Sequence, residues 1–153
     1  MKLNTIIEQL EMLAPLSYAE DFDNVGLLTG NSEQEINGIL VCHDVLENVI
    51  NEAIEKKCNL IVCFHPIIFS GLKKITGKTY VERVVIKAIK NDIAIYALHT
   101  ALDNHQNGVN KIICNQLGLK NTKILIPKEK FIRKLVTYTI LENHEELRNA
   151  LFD

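Results

Sequence analysis

The chain has 153 residues, enough for one modest domain with a true hydrophobic core. An apolar share of 47% and a charged share of 24% are ordinary for a globular protein, and a net charge of −2 with interleaved signs excludes the clustered basic face of a nucleic-acid binder. No apolar stretch reaches the ~18 residues of a membrane span, the N-terminus lacks a signal peptide's apolar core, and the four cysteines form no CxxC pair and read as buried thiols, so a cytoplasmic setting is the expectation.

Ile6, Ile7, Leu10 and Leu13 recur at helical spacing and predict a first helix, capped by Asn4 or Thr5 and stopped by Pro15. A turn-rich segment follows and becomes strand-like at residues 25–28. Residues 38–42, a short apolar run, read as a strand. A helix over about 46–57 carries Val49, Ile50, Ala53 and Ile54 on one face. A second apolar strand, 59–64, ends at His65-Pro66, where proline keeps His65 extended. The loop 67–78, with Gly71 and Gly77, is expected to be mobile and near the rim. Thr79 caps a predicted helix to Lys90. A third strand, 93–98, ends at His99. The loop 103–108 leads to a helix over 109–117, closed by Gly118. After Pro127, residues 131–141 read as a strand and 143–152 as a helix, too little to form a domain alone.

The alternation of strand and helix over 38–117 predicts an α/β fold with a mostly parallel sheet. His43, His65 and His99 each follow one of its strands. Right-handed crossovers place the carboxyl ends of parallel strands on one edge, where ligand sites form. The three imidazoles are therefore expected to share a cleft with Asp44 and Asp103, a constellation suited to a divalent metal.

Four segments in order also carry a family likeness: residues 23–30 (Asp-Asn-Val-Gly-Leu-Leu-Thr-Gly), 65–69 (His-Pro-Ile-Ile-Phe), 95–103 (Ile-Tyr-Ala-Leu-His-Thr-Ala-Leu-Asp), and Gly108-Val-Asn with the helix after it. The chain thereby resembles the Nif-three-like family of dinuclear-metal proteins, some of which are named GTP cyclohydrolase I type 2 homologs. The resemblance runs nearly continuously from residue 1 to about 126. It implies a three-layer α/β fold with a mostly parallel or mixed sheet over 1–127, and the start of an inserted α+β domain over 128–153. It implies further that the chain is the N-terminal part of a longer protein whose second half completes the metal site with a His-x-x-x-Glu pair.

Carried over residue by residue, the resemblance makes His65 and Asp103 metal ligands. Read without it, His65 could equally be a histidine bonded to backbone, and Asp103 an Asx-turn or helix cap. His99 opens the motif that Asp103 closes and is read as the candidate catalytic residue, a proton shuttle or a support for the site, against a purely structural hydrogen-bonded histidine. Phe64 departs from the pattern, because it stands where the family has the first histidine of His-His-Pro. The second ion is then lost or weakened, or His43, His105 or a residue of the missing half replaces that ligand. Asp44 reads as a site-lining carboxylate. Asp23-Asn24, with Gly26 and Gly30, reads as a plain turn in preference to a backbone approach to a ligand, and His105 and His144 as solvated.

The implied cofactor is a divalent metal, Zn²⁺, Mn²⁺ or Fe²⁺, as one or two ions in the full-length protein. The implied function is metal-dependent hydrolysis of an unidentified small molecule. The competing function is a non-enzymatic metal-binding scaffold or adaptor, and the implied partner for either is further copies of the chain in a toroidal homohexamer. With only two ligands, the chain alone is expected to bind metal weakly and to be inactive. A nucleotide-binding domain would need a GxGxxG or Walker loop, and neither is present.

Overall fold

Three parallel strands, β2 (Ile39–Cys42), β3 (Leu60–Cys63) and β4 (Ala94–Ala97), carry the site-bearing edge. Strand β1 (Gly26–Thr29) pairs antiparallel with β4, so the sheet is mixed, in the order β1-β4-β3-β2. The computed structural model describes residues 1–127 and 135–152, and the chain divides into two compact units, Met1–Thr122 and Lys123–Asp153.

Every residue of β3 and β4 is buried, as expected of strands covered on both faces. Alternation along the strands builds two cores. Ile61, Cys63, Ile95 and Ala97 pack with Ile50 and Ala53 of α2 (Glu47–Glu55) and Val84 and Ala88 of α3 (Tyr80–Lys90). Leu60, Val62, Ala94 and Tyr96 pack on the opposite side with Leu3 of α1 (Leu3–Leu13) and Ala101 of α4 (His99–Asp103). Helices α2 and α3 share a face because both crossovers step the same way along the sheet. The result is a three-layer α/β/α unit, as expected.

Local details differ from the expectation in two places. Helix α1 starts at Leu3 without a side-chain cap from Asn4 or Thr5. Its first amides are bonded by distant carbonyls instead, Leu3 N–H to Gln34 O and Asn4 N–H to Ser32 O, each at 2.8 Å. Those bonds do the work of a cap. The short helix α4 was expected as the end of a strand followed by loop, and its origin lies in the site described below.

Thr79 caps α3 as predicted, its Oγ1 accepting from Glu82 N–H at 3.2 Å. The Glu82 carboxylate accepts from Thr76 N–H (2.7 Å), Thr76 Oγ1–H (2.9 Å), Lys78 N–H (3.1 Å) and Thr79 Oγ1–H (3.1 Å). These bonds, led by the Thr76 amide, hold its pKa down at about 2. They anchor the far end of the loop that follows His65. Helix α5 (Val109–Gln116) lies within one residue of its predicted bounds, and Gly118 follows with φ +70°, a left-handed conformation that suits glycine.

Tyr96 is fully buried, and its hydroxyl has no hydrogen-bond partner among the described residues. Burial also pushes its pKa up to about 12. An unpaired buried hydroxyl costs about 1–3 kcal/mol, so Tyr96→Phe is expected to stabilise the unit by about 1 kcal/mol. Chemical denaturation checks this, and a Tyr96→Phe variant less stable than the wild type would show that the hydroxyl is paired.

In the second unit, a 3₁₀ turn at Leu141–Asn143 leads into α6 (His144–Phe152), the helix expected there. The strand expected over 131–141 is not found among its described residues. Residues 131–134 lie outside the described residues, and 135–140 form no strand. A strand needs a neighbour to complete its hydrogen bonds, and no described segment pairs with this one. Among the described residues no helix is long and apolar enough to cross a membrane.

Candidate metal centre and catalytic dyad

The parallel ladders continue past the strands into the site. Phe64 N–H donates to Cys42 O (3.2 Å), His65 N–H to His43 O (3.0 Å), and His99 N–H to Phe64 O (3.0 Å). This shared register brings the three post-strand histidines together. The ring centroids of His43 and His65 are 4.4 Å apart, and those of His65 and His99 5.3 Å apart. Phe64 lies among them, stacked on His43 at 5.2 Å and edge-on to His99 at 5.5 Å.

Each imidazole pairs through Nδ1 with a carboxylate. Asp44 serves two of them, with Oδ2 at 2.9 Å from His43 and Oδ1 at 2.8 Å from His65. The hydrogen bonds from His43 and then His65 hold the Asp44 carboxyl below the usual aspartate range. His43, Asp44 and His65 each offer a ligand atom, and these atoms all lie within 4.8 Å of one another. Asp44, read in the sequence as lining the site, is thus its bridging group.

Asp23 serves the third histidine. Its side chain has no exposed surface, and its Oδ1 lies 2.8 Å from His99 Nδ1. The same carboxylate accepts from Asn24 N–H (2.8 Å), Thr100 N–H (3.1 Å) and the Thr100 hydroxyl. Burial pushes its pKa up, but the bonds from His99, Thr100 and Asn24 outweigh it and hold the carboxyl below its ordinary value. Asp23 is therefore a built part of the site and not a plain turn.

The reason lies in the β1 pairing. Gly26 opposes Ala97 across an antiparallel ladder, so the residue three before Gly26 meets the residue three after Ala97, which is Thr100. No local signal in the sequence marks this. His99 also has φ +28°, unusual for a residue with a side chain. The chain turns there from β4 into α4 instead of staying extended, and the bonds from Asp23 to His99 and Thr100 hold the turn.

Asp103 ends α4, half-buried, and does not belong to the His43–Asp44–His65 group. It stands four residues after His99, at the end of the same short helix. Its backbone carbonyl accepts from Asn110 Nδ2 at 3.1 Å. His105, expected in solvent, is half-buried and stacks on Tyr18 at 6.0 Å. His144 is exposed, as expected.

Imidazole and carboxylate donors in this combination suit borderline divalent ions such as Zn²⁺, Mn²⁺ and Fe²⁺. His99 has, in Asp23, the carboxylate partner that usually orients an imidazole at a metal site. The donor set therefore fits a divalent cation.

Residues 1–151 match the model of the family Duf34/NIF3 (NGG1p interacting factor 3). The chain is 37% identical over 147 residues to the GTP cyclohydrolase 1 type 2 homolog of Clostridium acetobutylicum, covering 96% of this chain and 55% of that protein. It is 41% identical over 147 residues to the GTP cyclohydrolase 1 type 2 homolog of Bacillus subtilis, covering 95% and 39%. Among solved structures it is similar to the Bacillus cereus protein related to NIF3, with a TM-score of 0.79 and 38% identity, over 84% of this chain and 35% of that one. The chain spans about half, or less, of the length of these relatives. Its sequence and its fold agree: the chain belongs to the Duf34/NIF3 family.

Proposed function

We propose that this chain provides one half of a divalent-metal centre, in a protein that uses the metal for hydrolysis. His65 and Asp103 hold the cation, and His99 moves a proton. The observation that carries this reading is the meeting of His65 and His99 at one sheet edge, each with its Nδ1 paired to a different carboxylate. A carboxylate at Nδ1 keeps the proton on that nitrogen and leaves Nε2 of His99 with a free lone pair. That is the form a proton acceptor requires. His99 is 19% exposed, accessible to a small molecule yet sheltered from bulk water. A bound divalent cation supplies Lewis acidity for activating water or polarising a substrate oxygen.

The test is titration with Zn²⁺ and Mn²⁺, followed by assays on phosphoesters, amides and ring-opening substrates. His65→Ala and Asp103→Asn are each expected to weaken cation binding at least ~10-fold. Wild-type affinity in both variants would overturn the assignment. Phe64, which cannot ligate, favours a second reading, a metal-binding scaffold assembled as a ring of several copies. Stoichiometric metal without turnover on any substrate would support that reading over the hydrolase.

A further inference from the structure

We infer that His43 and Asp44 are ligands of the rim cation alongside His65, with His43 taking over the imidazole role that Phe64 cannot fill. This rests on the reading above that the rim binds a divalent cation, and it extends the ligand set to the first parallel strand.

Three observations carry the inference. First, the donor atoms of His43, Asp44 and His65 all lie within 4.8 Å of one another. Donors around a single tetrahedral cation, at about 2.0–2.2 Å from it, sit roughly 3.4 Å apart. The two Nδ1–carboxylate distances, 2.9 and 2.8 Å, would have to open by only about half an ångström to admit an ion. Second, Phe64 occupies the place between the histidines and stacks on the His43 ring, with 20° between the planes. The residue that removes one imidazole from the site thus supports another. Third, the three side chains are 67%, 52% and 45% exposed, so an ion can reach them from solvent.

The proton balance is simple. In each neutral imidazole the Nδ1 proton now shared with Asp44 moves to Nε2, which solvent can reach. The Nδ1 lone pair turns to the cation, and the carboxylate, already ionised, exchanges two hydrogen bonds for one coordinate bond. No net proton need leave the protein. Two imidazoles and a carboxylate supply three of the four donors a tetrahedral Zn²⁺ takes, and leave the fourth position to Asp103 of the reading above.

The experiment is calorimetric titration of the 153-residue chain with Zn²⁺ alone, with Co²⁺ absorption as a second readout. The wild type is expected to bind one equivalent saturably. His43→Leu is expected to weaken binding at least ~10-fold and to remove the visible band of tetrahedral Co²⁺, with unchanged circular dichroism. Equal affinity in His43→Leu and the wild type, with binding lost in His65→Ala, would overturn the inference and leave the His65 reading standing. A wild-type chain that binds no Zn²⁺ would overturn both. Should His43→Leu fail to fold, His43→Gln is judged by the same criterion.

Discussion

Asp23→Ala is expected to destabilise the α/β unit by about 2–4 kcal/mol, because it leaves the His99 ring and the Thr100 and Asn24 amides without their shared acceptor in a buried setting. At this chain length that corresponds to a fall in melting temperature of roughly 5–15 °C. The sign of the pH dependence is also determined. Asp23 has its pKa lowered in the fold from an ordinary value of 3.8. Its contribution is therefore fully present above pH 3.8 and is lost as the pH falls through the depressed folded value. The gap between wild type and variant should be constant near neutrality and close in acid. A gap that persists unchanged far below pH 3.8 would contradict the account. The same variant frees the His99 tautomer, so the proton transfer proposed for His99 should fall even under conditions where the fold survives.

Gly108→Ala is the second large effect expected. A Cβ at this position would lie 1.8 Å from the Leu102 carbonyl oxygen and 3.0 Å from that of His105. Both neighbours are backbone, so no side-chain rotation can relieve the clash. The corner between α4 and α5 must move, at a cost of at least about 2 kcal/mol. That corner holds Asp103, whose carbonyl accepts from Asn110 just inside α5. Gly108→Ala should therefore lower both the denaturation midpoint and cation affinity. Gly71→Ala is the control, since nothing lies within 4 Å of its Cβ position, and it should leave both unchanged. A Gly108→Ala protein as stable as the control would mean that the close approach is not a constraint on the fold.

Much of this architecture is local and could be read directly. The apolar runs at β2, β3 and β4, the helical spacing in α2 and α3, and the Thr79 cap all follow from side chains within a few residues of one another. The convergence of His43, His65 and His99 was also legible, because parallel strands joined by right-handed crossovers leave their carboxyl ends no other edge. Where the sequence misled, the cause was at a distance. The N-terminus of α1 is bonded by carbonyls some thirty residues away, at Ser32 and Gln34. Helix α4 is only five residues long, too short for a periodic signal.

Which carboxylate meets which histidine was decided only by tertiary structure. Asp23 reaches His99 because β1 runs against β4, and the direction of a four-residue strand is invisible in its own residues. Asp44 bridges His43 and His65 because the ladder between β2 and β3 carries on past both strands. The sequence determined by itself the edge at which the three histidines meet, since apolar strand runs are set by residue type and crossover handedness by the chirality of the chain. The pairing of its charges belongs to the fold, because strand register is settled by contacts across the sheet.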